Sequence, residues 1–201
     1  MLIVDSQIKQ VQSDLSLIEA LCTKLVENVQ SFEVASAKAL PYGLKPHTRS
    51  VSWLVEQVLV QRFKLDAAGM QVGKVDYDWP DTALHDLTIE VNGRVLPINV
   101  KAHQAENKPN KNDISAVEKL YNAYKSDGEY NLYYAAFGIK FEGRSVVFIK
   151  DKVHCFSPQF LPLYVNPRND KIQAFYHHTP VIRSRRDFLT ELSAASTSIQ
   201  L

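Results

Sequence analysis

An acid, an amide and an amine stand close together in His85-Asp86-Leu-Thr-Ile-Glu90-Val-Asn92-Gly93-Arg-Val-Leu-Pro97-Ile-Asn99-Val-Lys101. Asn-Gly between alternating apolar residues is the strongest local signal for a β-hairpin, because a type I′ turn needs positive φ at both central positions. Pairing outward from Val91 and Arg94 sets Asp86 against Asn99, where Cα atoms approach to roughly 4.5 Å. Pro97 then falls opposite Thr88 at a position that needs no ladder hydrogen bond. Lys101, two residues beyond Asn99, points to the same face. A hard cation such as Mg²⁺ takes oxygen ligands and keeps room for water and phosphate. Asp86 can offer an anionic oxygen, Asn99 a neutral one, and Lys101 a positive charge for a phosphate or an attacking water.

Other acids fit this site less well. Glu90 shares the face but sits near the turn, about 13 Å from Asp86, too far for the same ion. Glu56 lies at the edge of an apolar helical stripe and reads by itself as a surface glutamate. Asp76, Asp78 and Asp81 read as loop acids. His85 and His103 flank the site, and His177-His178 has no cysteine or acid at ligand spacing. No G-x-S-x-G pattern is present.

Three basic groups could contact phosphate: Lys45-Pro-His47-Thr-Arg49, the Lys101/Lys108/Lys111 group, and Arg183-Ser-Arg185-Arg186. The polar donors Gln104, Asn107, Asn110 and Asn112 interleave with the lysines, and such amides can read adenine bidentately in a major groove.

The elements that must position these residues follow from periodicity. Residues 5–34 carry Ile8, Val11, Leu15, Ile18, Leu21, Leu25 and Val29 at helical spacing, with Asp5-Ser6 as a cap. A second helix spans about 50–63, with Val51, Leu54, Val55, Val58 and Leu59 on its buried stripe. After the hairpin, Asn112 or Asp113 can cap a helix of about 113–125. Strands are expected at 130–140 and 144–150, turned at Glu142-Gly143. Residues 156–182 read as irregular, and Ser184 opens a helix to Ala195. The order predicts a single α/β (α+β) domain over 1–201, a mixed central sheet flanked by helices. Its parts are an N-terminal helix at 5–34 suited to a subunit contact, a core at 50–150 and a C-terminal segment at 156–201.

With 45% hydrophobic and 22% charged residues, the composition is that of an ordinary globular protein, and the net charge of +1 argues against a generic polyanion binder. Two cysteines, Cys22 and Cys155, are too few for a disulfide framework and fit a reducing cytoplasm. No apolar run of about 18 residues suggests a membrane span, and no export signal is expected at the N-terminus.

An acid on one strand, then about a dozen residues, then acid-x-Lys on the next strand is the motif of the PD-(D/E)xK nuclease superfamily. With Pro80-Asp81, His85-Asp86 and Asn99-Val100-Lys101, the chain resembles type II restriction endonucleases of that class over about residues 50–150. The resemblance implies a restriction-endonuclease-like core and a homodimer that hydrolyses both strands of DNA with Mg²⁺ to leave 5′-phosphates, in a bacterial or archaeal cell. By position, Asp86 is the metal-ligating acid, Asn99 takes the place of the usual Asp or Glu, Lys101 is the catalytic lysine and Glu56 the helix acid. Val100-Lys101-Ala102 and Arg183-Ser-Arg185-Arg186-Asp187-Phe188 also look like a group that cuts AT-rich palindromes. Asn99 departs from the motif and leaves one less negative charge for a metal. It reads as a natural variation, as a sign of a binding-only relative, or as an isosteric substitution that disables cleavage. The rival functions are a DNA-binding protein without catalysis and a structure-selective repair nuclease.

Overall fold

The computed structural model describes residues 2–44, 48–80, 82–108 and 110–195. The N-terminal amphipathic stretch forms α1 (Leu2–Val29), and the chain then enters a short strand, β1 (Ser31–Glu33), where the helix had been expected to continue. Gln30 takes a positive φ of 53° at that break, and its N–H closes the last helical turn on the Val26 carbonyl. Val11, Ile18, Leu21, Cys22, Leu25 and Val26 are buried, so the apolar stripe of α1 is used inside the chain.

The second helix, α2 (Thr48–Asp66), buries Val51, Val55, Leu59, Val60 and Phe63. A short strand β2 (Val75–Asp76) leads to the hairpin of β3 (Leu87–Val91) and β4 (Arg94–Gln104). Asn92 and Gly93 have φ of 53° and 73°, as the type I′ turn requires. The pairs run from Val91–Arg94 through Thr88–Pro97 to Leu87–Ile98, which is the register the sequence dictates.

Asn112 and Asp113 do not cap a helix. They lie in β5 (Asn112–Ala116), and α3 (Val117–Ser126) starts only afterwards. The Asp113 carboxylate accepts hydrogen bonds from Gln173 and Asn169, each at 2.8 Å, and from Asn166. The Gln173 bond leads in holding this carboxyl below its ordinary range, and Asn169 adds to it. These partners come from β8 (Tyr164–Asn166), from β9 (Lys171–Ala174) and from the turn between them, a segment that looked irregular in sequence. Strands β6 (Tyr133–Glu142) and β7 (Ser145–Phe156) complete the main sheet. In α4 (Arg185–Ala195), the expected Ser184 cap is present: its Oγ accepts from the Asp187 N–H at 3.1 Å and donates to the Asp187 carboxylate.

The main sheet has the order β1-β7-β6-β4-β3-β2, and β4 with β6 is its parallel pair. A smaller sheet has the order β5-β9-β8. One apolar core joins α1 and α2 to the main sheet, and a second joins α3, α4 and β9 to its opposite face through Tyr134, Ala136 and Phe156. This is the expected mixed sheet flanked by helices.

Asp14 of α1 is a buried charge, 2% exposed, and it ties three elements together. Its carboxylate accepts from Arg94 Nη1 at 2.5 Å and from the Tyr133 hydroxyl at 2.7 Å. Burial, and then this bond, hold the Tyr133 phenol well above its ordinary range. Asp14→Ala strands that hydroxyl in the core and frees the arginine beside the hairpin turn. It should cost about 2 kcal/mol of stability in denaturant unfolding, with Tyr133→Phe recovering most of the loss in the double variant.

Candidate functional site

The site begins where β3 starts. The Asp86 N–H donates to the Ile98 carbonyl at 2.9 Å, although Ile98 is already the partner of Leu87. This extra bond offsets the end of the ladder. The Asp86 carboxylate therefore meets the backbone N–H of Val100, accepting at 2.6 Å, and the Asn99 amide N–H₂ donates to the Leu84 carbonyl at 3.0 Å. Asn99 is 8% exposed, and its Oδ1 is buried with no hydrogen-bond partner among the described residues. A buried, unsatisfied amide oxygen beside a carboxylate is the donor set a hard cation takes.

Asp86 is half-buried, and burial pushes its carboxyl above the ordinary range. The Lys101 ammonium and the Val100 N–H pull in the opposite direction without fully offsetting it. Lys101 lies two residues beyond Asn99 on β4, with Nζ 6.0 Å from the centre of the Tyr134 ring. That ring, with the ring of Phe156 stacked on it at 5.2 Å, walls the site on the second core.

Beyond Lys101 a cleft of about 830 Å³ opens, and Glu56 and Ser52 of α2 line it together with Lys101. Tertiary structure thus brings the helix glutamate and the strand lysine to one cavity, although 44 residues of chain lie between them in sequence. Asp86 and Asn99 do not line the cleft; Lys101 and the adjoining Val100 of β4 do. Among the described residues, no group of three or more His, Cys, Asp and Glu is arranged to hold a metal, so any cation here would rest on the mixed Asp86–Asn99 pair.

The proposed phosphate and base contacts divide into two groups. His103, Gln104, Asn107, Lys108 and Asn110 line the cleft. The others are engaged elsewhere or lie elsewhere. Lys111 sits 3.8 Å above the Tyr164 ring. Arg183 is buried and donates to the carbonyls of Gln159, at 2.7 Å, and Leu161, and it pairs with Glu191. Arg185 donates to the carbonyls of Tyr124, Asp127 and Tyr130. Both arginines, expected as phosphate contacts, spend these donors on backbone carbonyls of the last turn of α3 and of the turns after α3 and β7. Arg186 is exposed, but on a separate groove with Tyr121 and Leu189. Arg49 lies in the first turns of α2, while Lys45 and Asp81 fall outside the described residues.

Lys152 and His154, which the sequence did not single out, and His177, discounted as a metal ligand, line the same cleft. No local signal marks them, because β7 and the segment after β9 meet β4 only in the folded chain.

Helices on both faces of a six-stranded mixed sheet make a restriction-endonuclease-like fold. Among solved structures the chain is similar to the NlaIV restriction endonuclease, with a TM-score of 0.54 and 13% sequence identity over 76% of this chain and 66% of that one. No family model and no curated protein matches the sequence.

A raised carboxyl pKa has a defined linkage. It favours folding below the unfolded-state value, and that contribution is lost as pH rises through the folded-state value. At neutral pH the ionised Asp86 therefore weighs against the fold. Asp86→Asn, which keeps an oxygen for the Val100 N–H, should raise the melting temperature at pH 7 by on the order of 2 °C. The gain should vanish in acid, as followed by calorimetry across pH.

Proposed function

We propose that the protein is a sequence-specific double-stranded DNA endonuclease of the type II restriction class. The observation that carries this reading is the unpartnered, buried Asn99 oxygen beside Asp86 and Lys101, within a restriction-endonuclease-like fold. The Asp86 carboxylate and the Asn99 oxygen fit a Mg²⁺ ion, which when bound would supply Lewis-acid stabilisation of charge developing on the scissile phosphate.

The chain's own residues do the rest. The Val100 N–H fixes the Asp86 carboxylate through its 2.6 Å bond, and the Leu84 carbonyl fixes the Asn99 amide so that its oxygen faces away from that bond. Lys101 holds a non-bridging phosphate oxygen and orients the attacking water. Water adds to phosphorus in line, the 3′-oxygen leaves with a proton, and the products are a 5′-phosphate and a 3′-hydroxyl. Glu56, half-buried on the same cleft, adds the negative charge that Asn99 lacks. Gln104, Asn107 and Asn110 on the rim are the candidates for reading base edges, with an AT-rich palindrome as the expected target. A homodimer would account for cutting both strands.

Digestion of a long mixed-sequence DNA with Mg²⁺ tests this reading. The chain, or its Asn99→Asp variant, should give discrete fragments with 5′-phosphate ends. Lys101→Ala should lower the cleavage rate at least 100-fold while DNA is still retained in a gel shift. Retention of DNA with no cutting by either the chain or Asn99→Asp would leave a DNA-binding module on a nuclease fold. Cutting of branched DNA alone would mark a structure-selective nuclease.

A further inference from the structure

The lining of the cleft holds a group of imidazoles to which the proposed cleavage chemistry gives no role. The His103 ring lies 5.6 Å from His154 and 5.3 Å from Tyr176, and His154 lies 5.9 Å from His177. All four residues line the cleft together with Lys101 and Lys152. The acids that share the lining are Glu56 and Asp113, and Asp113 is already bonded to the amides of Gln173, Asn169 and Asn166.

An irregularity of the sheet gathers this group. Between the pairs Phe137–Val153 and Ile139–Phe148, residues 149–152 of β7 stand opposite the single Gly138 of β6, which in turn pairs with His103 of β4. A Cβ at Gly138 would come within 2.4 Å of the Lys152 Cβ, so only glycine lets β7 fold this closely over the site.

We propose that His103, His154, His177 and Lys152 form a phosphate subsite beside Lys101 that takes up a proton from solvent when a backbone phosphate of a polynucleotide enters it. This rests on the nuclease reading and adds a second phosphate contact to it. Burial, and then the nearby His154, His177 and Lys152, push the His103 imidazole down to about 4, and burial lowers His154 as well. These rings are therefore neutral in the free protein at neutral pH, and His103 Nδ1 is buried with no partner among the described residues. A dianionic or diester phosphate between them reverses the charge balance, so an imidazolium becomes the favoured form and donates to the anion. The groups facing the rings are Lys101 from β4, Lys152 from β7, Glu56 from α2, and Lys108 and Asp113 from the flanking loop and strand. The imidazole nitrogens are the groups there that accept a proton and then donate to an anion.

NMR of the imidazole Cε1–Hε1 resonances tests the subsite without catalysis. The protein is titrated in pH with inorganic phosphate, and separately with a short DNA duplex, both without divalent cation. The titration midpoints of His103 and His154 should rise by about one unit with either probe, while His85 and His178 stay in place. Lys152→Gln, a change at an exposed side chain, should weaken phosphate binding about tenfold and reduce the rise. DNA retained in a gel shift with both midpoints unmoved overturns the subsite and leaves the nuclease reading standing. Midpoints that move with phosphate while DNA is not bound uphold the subsite and remove the DNA reading. No response to either probe overturns both.

Discussion

The alternation of side chains along β4 is the constraint on which both the fold and the site depend. Ile98 and Val100 turn to the core under α1 and α2, while Asn99, Lys101 and His103 turn to the opposite face. A slip of one residue would exchange these sets, placing an amine and an imidazole in the first core and leaving isoleucine and valine at the cleft. The Asn92-Gly93 turn fixes the register from one end, and the parallel pairing with β6 fixes it along the length, from Ile98–Tyr133 to Gln104–Ile139. Asp14 of α1 holds the turn end of the same hairpin through Arg94, and β6 through Tyr133.

This central strand places opposite electrostatic problems a short distance apart. At one end, a carboxylate is raised by burial and an amide oxygen lies buried without a donor, so that end lacks positive charge. At the other, burial first, then the neighbouring imidazoles and Lys152, hold the His103 and His154 imidazoles in the neutral form, so that end lacks negative charge. Lys101 sits between the two. Under the proposed nuclease reading, a phosphodiester chain with its cation would relieve both at once, bringing divalent charge to one end and anionic oxygens to the other.

The C-terminal basic run shows how a charge pattern misleads when backbone needs are ignored. Arg183 and Arg185 looked available for phosphate, yet the turns they lie against present carbonyls with no ladder or helix to satisfy them. A guanidinium with five donors answers that need better than any other side chain. Buried Arg183 and half-buried Arg185 lie over the rings of Phe188 and Tyr124 in the second core, the core that also holds the Tyr134 wall behind Lys101.

The sequence by itself determined the hairpin, its register, the common face of Asn99 and Lys101, and the Ser184 cap. Each rests on contacts between residues near in the chain, where turn chemistry and period settle the outcome. It also carried the helical stripes of α1 and α2 and the order of strands and helices. It could not reveal β5, β8 and β9, because the amides that hold Asp113 come from more than 50 residues away and outweigh its tendency to cap a helix. Nor could it join Glu56 to Lys101, or His154 and His177 to His103, since those meetings depend on which sheet face each element covers. Tertiary structure alone decided them, because the burial of apolar faces fixes where the strands and helices lie, and the polar residues on their other sides are carried along.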